Sequence, residues 1–530
     1  MAVLSLTACE FVADETESQP DLSGKIVTPG KVQVASYSSS SYGQIFSIDP
    51  ETSKITINSS ENLGGKSVYY AVVNAGSKKI DRELARYISE ETSGARTAAV
   101  NNTYEPVIDE DDEGFAPIHD FFAPEFEEET SRSAILDSAS EAKKLVLETG
   151  KTTSKFFIRT NSGYSKEKAT LYAYNEICNI WILDADAFLA TESQKKEIAE
   201  QYAEKFAEMY PVIRNVFGEE SDSLYVSVSG RKGDMESLSA TGTKVNIIVC
   251  DIGADGQDGN TIGLFSCMDY YKNGLKFSNT TVNRSNEGKF FYIDSFYASN
   301  CFDYTISTLA HEFQHMVNFG MKVMNGLSCD ANLNEMLSML CEDMMQAFLG
   351  IGDEFSPKNR IKTFIRRYYS TGIRNYDESL VAYANAYIFG AWLTRQFGGA
   401  ALVKEMMTNK KSNNDCIAAA VSKMSGKTMS FNEVFGLFVK AVFNGDESVF
   451  MNDAEETLSY GSYTYPMKGF STFDCPAIFE NLAVSALPAS YGVMFKKYGE
   501  IGSGKTSLDL SFASESGMTN SNVLVYVFIK

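Results

Sequence analysis

A chain of 530 residues with 44% hydrophobic side chains is long enough for more than one core and excludes global disorder. The formal net charge of −22 repels phosphate backbones, so nucleic acid is not an expected partner and a solvated acidic surface accounts for the charge. The 9 cysteines are scattered with no CxxC pair, which excludes a zinc ribbon and a small disulfide scaffold while allowing one or two bridges.

The chain opens with MAVLSLTAC, an apolar run ending in small residues before Cys9. Leu6-Thr7-Ala8-Cys9 resembles a bacterial lipobox, in which the cysteine is lipidated after cleavage, although no basic segment precedes it. No apolar run reaches the ~18–20 residues of a membrane-spanning helix. Residues 1–35 therefore read as a signal remnant and polar tether. They place the protein outside the cytoplasm, lipid-anchored at the cell envelope or secreted.

Residues 36–135 form the next unit. QIFSID, KITIN and SVYYAVV alternate as strands of a β-rich domain, and the acidic stretch from Tyr104 to Ser133 reads as its linker. The central unit spans 136–455. It begins with strands KFFIRT, ATLYAY and NIWILD, then a helix with Ile198, Tyr202, Phe206 and Met209 on one face. Strands KVNIIVCDI, IGLFSCMDYY and KFFYID follow, and the chain then becomes mainly helical. Residues 456–530 return to alternation in YGVMFKKY, TSLDLSF and VLVYVFIK, which predicts a C-terminal β-sandwich-like domain.

Two short motifs in these units look functional and are discounted. GEIGSGKT, 499–506, matches the Walker A pattern, but a strand-like segment follows where a P-loop needs a helix. It reads as a Gly-rich hairpin turn, and no nucleotide is expected. DIGADGQDGN, 251–260, does not fit the EF-hand pattern and reads as a turn, with weak support for calcium.

The informative segment is YTISTLAHEFQHMVNFG. Ile306, Leu309, Phe313, Met316 and Val317 recur at helical spacing, and Gly320 is placed to close the helix. His311 and His315 lie one turn apart on one face. They are two of only 3 histidines in the chain, which argues against coincidence. Two imidazoles so spaced can bind one tetrahedral Zn²⁺, and Glu312 is placed to act on a water at the open position. A third ligand is required. No histidine follows, so it is a carboxylate or the remote His119; Asp330, Glu335, Glu342 and Asp343 are the downstream candidates. Glu335 suits best. It lies 20 positions after His315 in a second helical segment, ANLNEMLSMLCEDMMQAFLG, for which Asn332 is a candidate cap. Ser338 and Glu342 share its face and are placed to orient a ligand histidine.

HExxH followed about twenty residues later by a helical glutamate resembles the thermolysin-like metallopeptidases called gluzincins. The run KVNIIVCDI, GLFSCMDYY, FFYID, TLAHEFQHMVNF and LNEMLSMLCED is closer still to the hyicolysin-type bacterial metallopeptidases, over roughly residues 165–400. Met336 departs from the pattern, since related enzymes often carry glycine after the glutamate. The resemblance implies an α+β multidomain protein: a gluzincin-like catalytic core of mixed sheet and zinc-binding helices, flanked by N- and C-terminal β-rich domains. It implies one Zn²⁺ per chain on His311, His315 and Glu335, with Glu312 as general base in peptide hydrolysis. The oxyanion donor would be Tyr383 or Tyr387, one turn apart in a downstream helix. A peptide substrate would lie along the IGLFSCMDYY edge. GDMES, 233–237, lacks the asparagine of the aminopeptidase motif GxMEN and stands far from His311, which favours an endopeptidase. The alternative is a surface-binding lipoprotein that keeps a peptidase fold with little or no activity.

Overall fold

The computed structural model describes residues 31–37, 46–48, 52–81, 118–122, 147–160, 163–444 with short internal gaps, 458–467, 486–511 and 523–529. Cys9 and residues 1–30 lie outside the described residues, as does Cys475; residues 31–35, expected to belong to the tether, open the first strand, and the 251–260 turn is described only in part. The seven described cysteines are all free thiols.

Strands β1 (Lys31–Tyr37), β2 (Phe46–Ile48), β3 (Thr52–Ser59) and β4 (Ser67–Asn74) come first in the chain, followed by β5 (Ile118–Phe122). The central unit contributes β6 (Thr153–Thr160), β7 (Gly163–Tyr174), β8 (Cys178–Leu183), β9 (Val245–Cys250), β10 (Thr261–Ser266) and β11 (Phe290–Asp294). These form one mixed sheet of 7 strands in the order β5-β10-β11-β9-β8-β7-β6. β9 runs parallel to both β8 and β11, while β10 is antiparallel to β11. The central strands are short apolar runs, VNIIVC and FFYID, because both faces are covered. Alternate residues serve two cores: Ile247, Val249, Phe291 and Ile293 face the helical side, and Ile248, Cys250, Phe290 and Tyr292 the other.

Helix α1 (Glu192–Phe217) packs on the helical face of this sheet, its start fixed by a capping box of Thr191 and Gln194. Helix α2 (Phe302–Met321) lies against β10 and β11. It continues through Gly320, whose role is packing: a Cβ there would meet the backbone N of Ser221 at 2.8 Å. Helix α3 (Ala331–Leu349) packs along α2, and α4 (Leu380–Gln396) packs along α3. The cap of α3 is Asp330, whose carboxylate accepts from the Leu333 N–H at 2.7 Å. Asn332 is committed elsewhere, donating to the carbonyls of Ile373 and Asn375.

The chain ends alter the expected domain division. C-terminal strands β12 (Gly492–Glu500), β13 (Ser507–Ser511) and β14 (Val523–Ile529) pair with the N-terminal ones. One sheet has the order β1-β3-β13 and another β2-β14-β4-β12. Segments expected to form separate N- and C-terminal units thus share their sheets. The 499–506 motif is not a hairpin turn either, because it carries the chain from one of these sheets to the other, with a strand and no helix after it. Within the stretch expected to be linker, residues 118–122 form β5, parallel to β10 at the edge of the central sheet. No described helix is long and apolar enough to cross a membrane.

The contact between α3 and α4 explains Met336. A Cβ on Gly390 would stand 2.6 Å from Met336 Cγ. The glycine that lets the two helices approach is on α4, so the position after Glu335 is free to carry a long side chain. Overpacking here costs about 1–3 kcal/mol, against roughly 1 kcal/mol that alanine gains over glycine in helix propensity. Gly390→Ala is therefore expected to lower the thermal midpoint of the wild-type chain. The same change is expected to be less costly in a Met336→Ala background, where the movable end of Leu340, at 3.2 Å, is the remaining close neighbour. An equal loss in both backgrounds would contradict this packing.

Candidate metal centre

The two histidines are held by a helix that is buried continuously from Thr305 to Gly320. Glu335 reaches them from the second turn of α3. His311 Nε2 is 3.2 Å from Glu335 Oε2, and His315 Nε2 is 3.5 Å from Glu335 Oε1. The three side chains are almost completely excluded from solvent. A metal bonded at about 2.0–2.1 Å in tetrahedral geometry requires its ligand atoms to stand roughly 3.3–3.4 Å apart. The two separations, each to a different Glu335 oxygen, lie close to that value, and one ligand atom from each residue falls within 4.8 Å of the others, so the donor set is compatible with one such ion. Among the described residues this is the one group of histidine, cysteine and carboxylate ligands close enough to hold a metal.

The other imidazole nitrogens are occupied, which directs both Nε2 atoms at Glu335. His311 Nδ1 is 2.6 Å from Glu342 Oε1, and Glu342 Oε2 accepts from the Ser307 hydroxyl at 2.8 Å. His315 Nδ1 is 2.9 Å from the Ser338 hydroxyl. Ser338 and Glu342 thus each meet one histidine. The remaining carboxylate candidates are engaged away from the cluster. Asp330 caps α3 and pairs with Arg374 at 3.1 Å, and Asp343 pairs with Arg395 at 2.8 Å. Nothing is described of the His119 side chain.

Burial and clustered carboxylates dominate the electrostatics of the site. Burial pushes the Glu312 carboxyl well above its ordinary range, Glu335 and Glu342 push the same way, and the Phe265 N–H opposes them. Burial likewise carries Glu342 up to about 7, with Arg360 and the Ser307 hydroxyl opposing. Burial pulls His315 down to about 4, against a hydrogen bond with Asn334. Burial outweighs that bond and keeps the imidazole neutral, the form that binds metals. Three buried carboxylates thus surround two buried imidazoles, with Arg360 the buried cation acting on Glu342. Buried charge of this kind needs a counter-charge, and a divalent cation supplies it.

β10 brings the sheet against the same cluster. A Cβ on Gly263 would meet Glu312 Oε1 at 2.6 Å and Thr308 Cγ2 at 2.4 Å, so only glycine lets the strand pass so near Glu312. The other edge of β10, expected to be open, is paired with β5.

The two tyrosines separate. The Tyr383 hydroxyl is 2.9 Å from that of Tyr376, its ring lies under the Arg360 guanidinium at 5.1 Å, and burial followed by the Glu335 charge raises its pKa. Tyr387 is raised by burial and then by Asp343, so it belongs with the Asp343–Arg395 pair. Arg360 and Gln314 were not foreseen. Arg360 carries no motif, and Gln314 occupies a position that HExxH leaves free.

A mixed sheet carrying a helix-borne pair of histidines, with a glutamate between them and a third ligand from the next helix, defines the HExxH class of metal centre. The chain belongs to the Peptidase M30 family, whose model matches residues 164–520. It is 28% identical over 291 residues to the neutral metalloprotease ShpI of Staphylococcus hyicus, an alignment covering 52% of this chain and 58% of that protein. The chain thus spans little more than half the length of that curated relative.

Glu342 is expected to act on the bound metal through His311, whose Nδ1 it meets at 2.6 Å. Glu342→Ala should weaken metal binding about 10–100-fold in competition with a chelator, with the helices intact by circular dichroism. Unchanged affinity would remove Glu342 from the site.

Proposed function

We propose that the protein is a zinc-dependent endopeptidase with a gluzincin-like core. The observation that carries this reading is the convergence of His311, His315 and Glu335 beside a buried Glu312. Zn²⁺ held there would polarise a peptide carbonyl and lower the pKa of its coordinated water to about 7. Glu312 takes the proton of the attacking water and delivers it to the leaving amine. Glu335, Glu342 and Ser338 hold the two histidines in place. Tyr383, whose ring lies under the guanidinium of Arg360 at 5.1 Å, is the better-placed donor for the developing oxyanion, and Tyr387 is the other candidate. Calcium has no role in this reading.

The substrate is a peptide in extended form, which pairs with a strand edge by main-chain hydrogen bonds. β10 is the strand beside Glu312, and its edge carries β5. A substrate that adds to this edge takes the place of residues 118–122. We also propose that the mature chain begins at Cys9 and is lipid-anchored outside the cytoplasm. The Leu-Thr-Ala-Cys stretch and the polar tether after it support this.

A binding lipoprotein that keeps the fold without activity explains less. Keeping the Glu312 carboxyl buried costs free energy, and a binding surface makes no use of it. The substitution Glu312→Gln separates the two. It is expected to retain metal while lowering peptide hydrolysis 10²-fold or more, as for loss of a general base. Full hydrolysis by that variant would remove Glu312 from the mechanism. Mass spectrometry of the membrane fraction should find diacylglycerol on Cys9, and an unmodified, uncleaved N-terminus there would refute the anchor.

A further inference from the structure

The two histidines are oriented by different chemistry. His311 Nδ1 meets a carboxylate, Glu342, which when ionised can only accept. The bond therefore has one direction: Nδ1 carries the proton and Nε2 keeps its lone pair. His315 Nδ1 meets the hydroxyl of Ser338, which can donate as well as accept. If the serine donated to Nδ1, the proton of the neutral imidazole would sit on Nε2, pointing at Glu335 and closing the metal site. Something must fix the direction of the serine proton.

Gln314 does this in the described geometry. Its Oε1 is 2.5 Å from Ser338 Oγ, shorter than the 2.9 Å from Ser338 Oγ to His315 Nδ1. Gln314, Ser338 and His315 are each 0% exposed. A carboxamide oxygen only accepts, so the single serine proton goes to Gln314 and the serine oxygen accepts from Nδ1–H. The amide could reverse this only by turning its NH₂ toward the serine. That would place its oxygen beside Met407 Sδ, which offers no proton, whereas in the orientation described Nε2 faces that sulfur at 3.9 Å.

We propose that Gln314 is a positioning residue which, through Ser338, sets the tautomer of His315 so that Nε2 is available to a metal. The proposal rests on the reading of His311, His315 and Glu335 as metal ligands. Its tests do not depend on hydrolysis. With 3 histidines in the chain, imidazole nitrogen NMR of the full-length, metal-free protein can resolve each ring. At about pH 8, above the ordinary imidazole pKa of about 6.5, His315 is expected as the Nδ1–H tautomer. An Nε2–H tautomer in the wild type overturns the proposal without any variant. Gln314→Met keeps the volume and removes the acceptor. It is expected to shift His315 toward Nε2–H and to weaken zinc binding about 10–100-fold in chelator competition. Adding Ser338→Ala to that variant removes the competing donor, and should restore both the Nδ1–H tautomer and most of the affinity. Gln314→Glu, which keeps an acceptor, should bind zinc within a few-fold of wild type. An unshifted tautomer in Gln314→Met, or affinity losses that simply add in the double variant, would overturn the proposal. A wild-type protein that binds zinc, shows the expected tautomers and hydrolyses no peptide would instead count against the peptidase reading.

Discussion

Two imidazoles and a carboxylate held within about hydrogen-bonding distance of one another, with no solvent to share them, impose the constraint on which the rest of this structure depends. Such groups are costly to bury singly. They are tolerated because α2 and α3 pack closely enough for every imidazole nitrogen to have a defined neighbour. Glu342 and Ser338 take the Nδ1 atoms, and Glu335 faces the Nε2 atoms. The packing around them serves this closeness. Gly320 lets α2 approach the chain at Ser221, Gly390 lets α4 approach α3, and Gly263 lets β10 pass Glu312. Three glycines in three elements remove side-chain volume where the polar cluster must be enclosed.

The same closeness sets the charge balance. Glu312, Glu335 and Glu342 lie in one buried region, with the guanidinium of Arg360 nearby. Arg395 and Arg374 are spent on Asp343 and Asp330. Those two pairs neutralise the acidic residues of α3 that are not part of the site, and the clustered carboxylates are left for a cation. The division accounts for the segment from Asp330 to Asp343 carrying six acidic or amide residues while presenting only Glu335 to both histidines.

Much of the site was legible in the sequence, for local reasons. HExxH needs only one helix, and helical periodicity in YTISTLAHEFQHMVNFG was unambiguous. The scarcity of histidine then left a carboxylate as the expected third ligand, and a helical segment 20 positions after His315 singled out Glu335. Failures came where a residue had two equally good local roles. Asp330 and Asn332 are both capping residues, and the partners Ile373 and Asn375 decided between them. Gly320 suits a helix end, yet is used for close approach. Tyr383 and Tyr387 lie one turn apart, and only Asp343 and Arg395 separate them. The sharing of sheets between the chain ends, and the strand at 118–122 within an acidic stretch, depend on pairings between residues far apart in the chain. Period-two alternation identifies a strand but carries no information about its partner.

The central claim is that His311, His315 and Glu335 bind one metal ion together. It is tested most directly by anomalous diffraction at the zinc edge from crystals of the full chain grown with zinc. The account predicts one anomalous peak within about 2.0–2.2 Å of His311 Nε2, His315 Nε2 and a Glu335 oxygen. A peak bound through Nδ1 of either histidine, a peak without Glu335, or no peak between α2 and α3 at full zinc loading would contradict it.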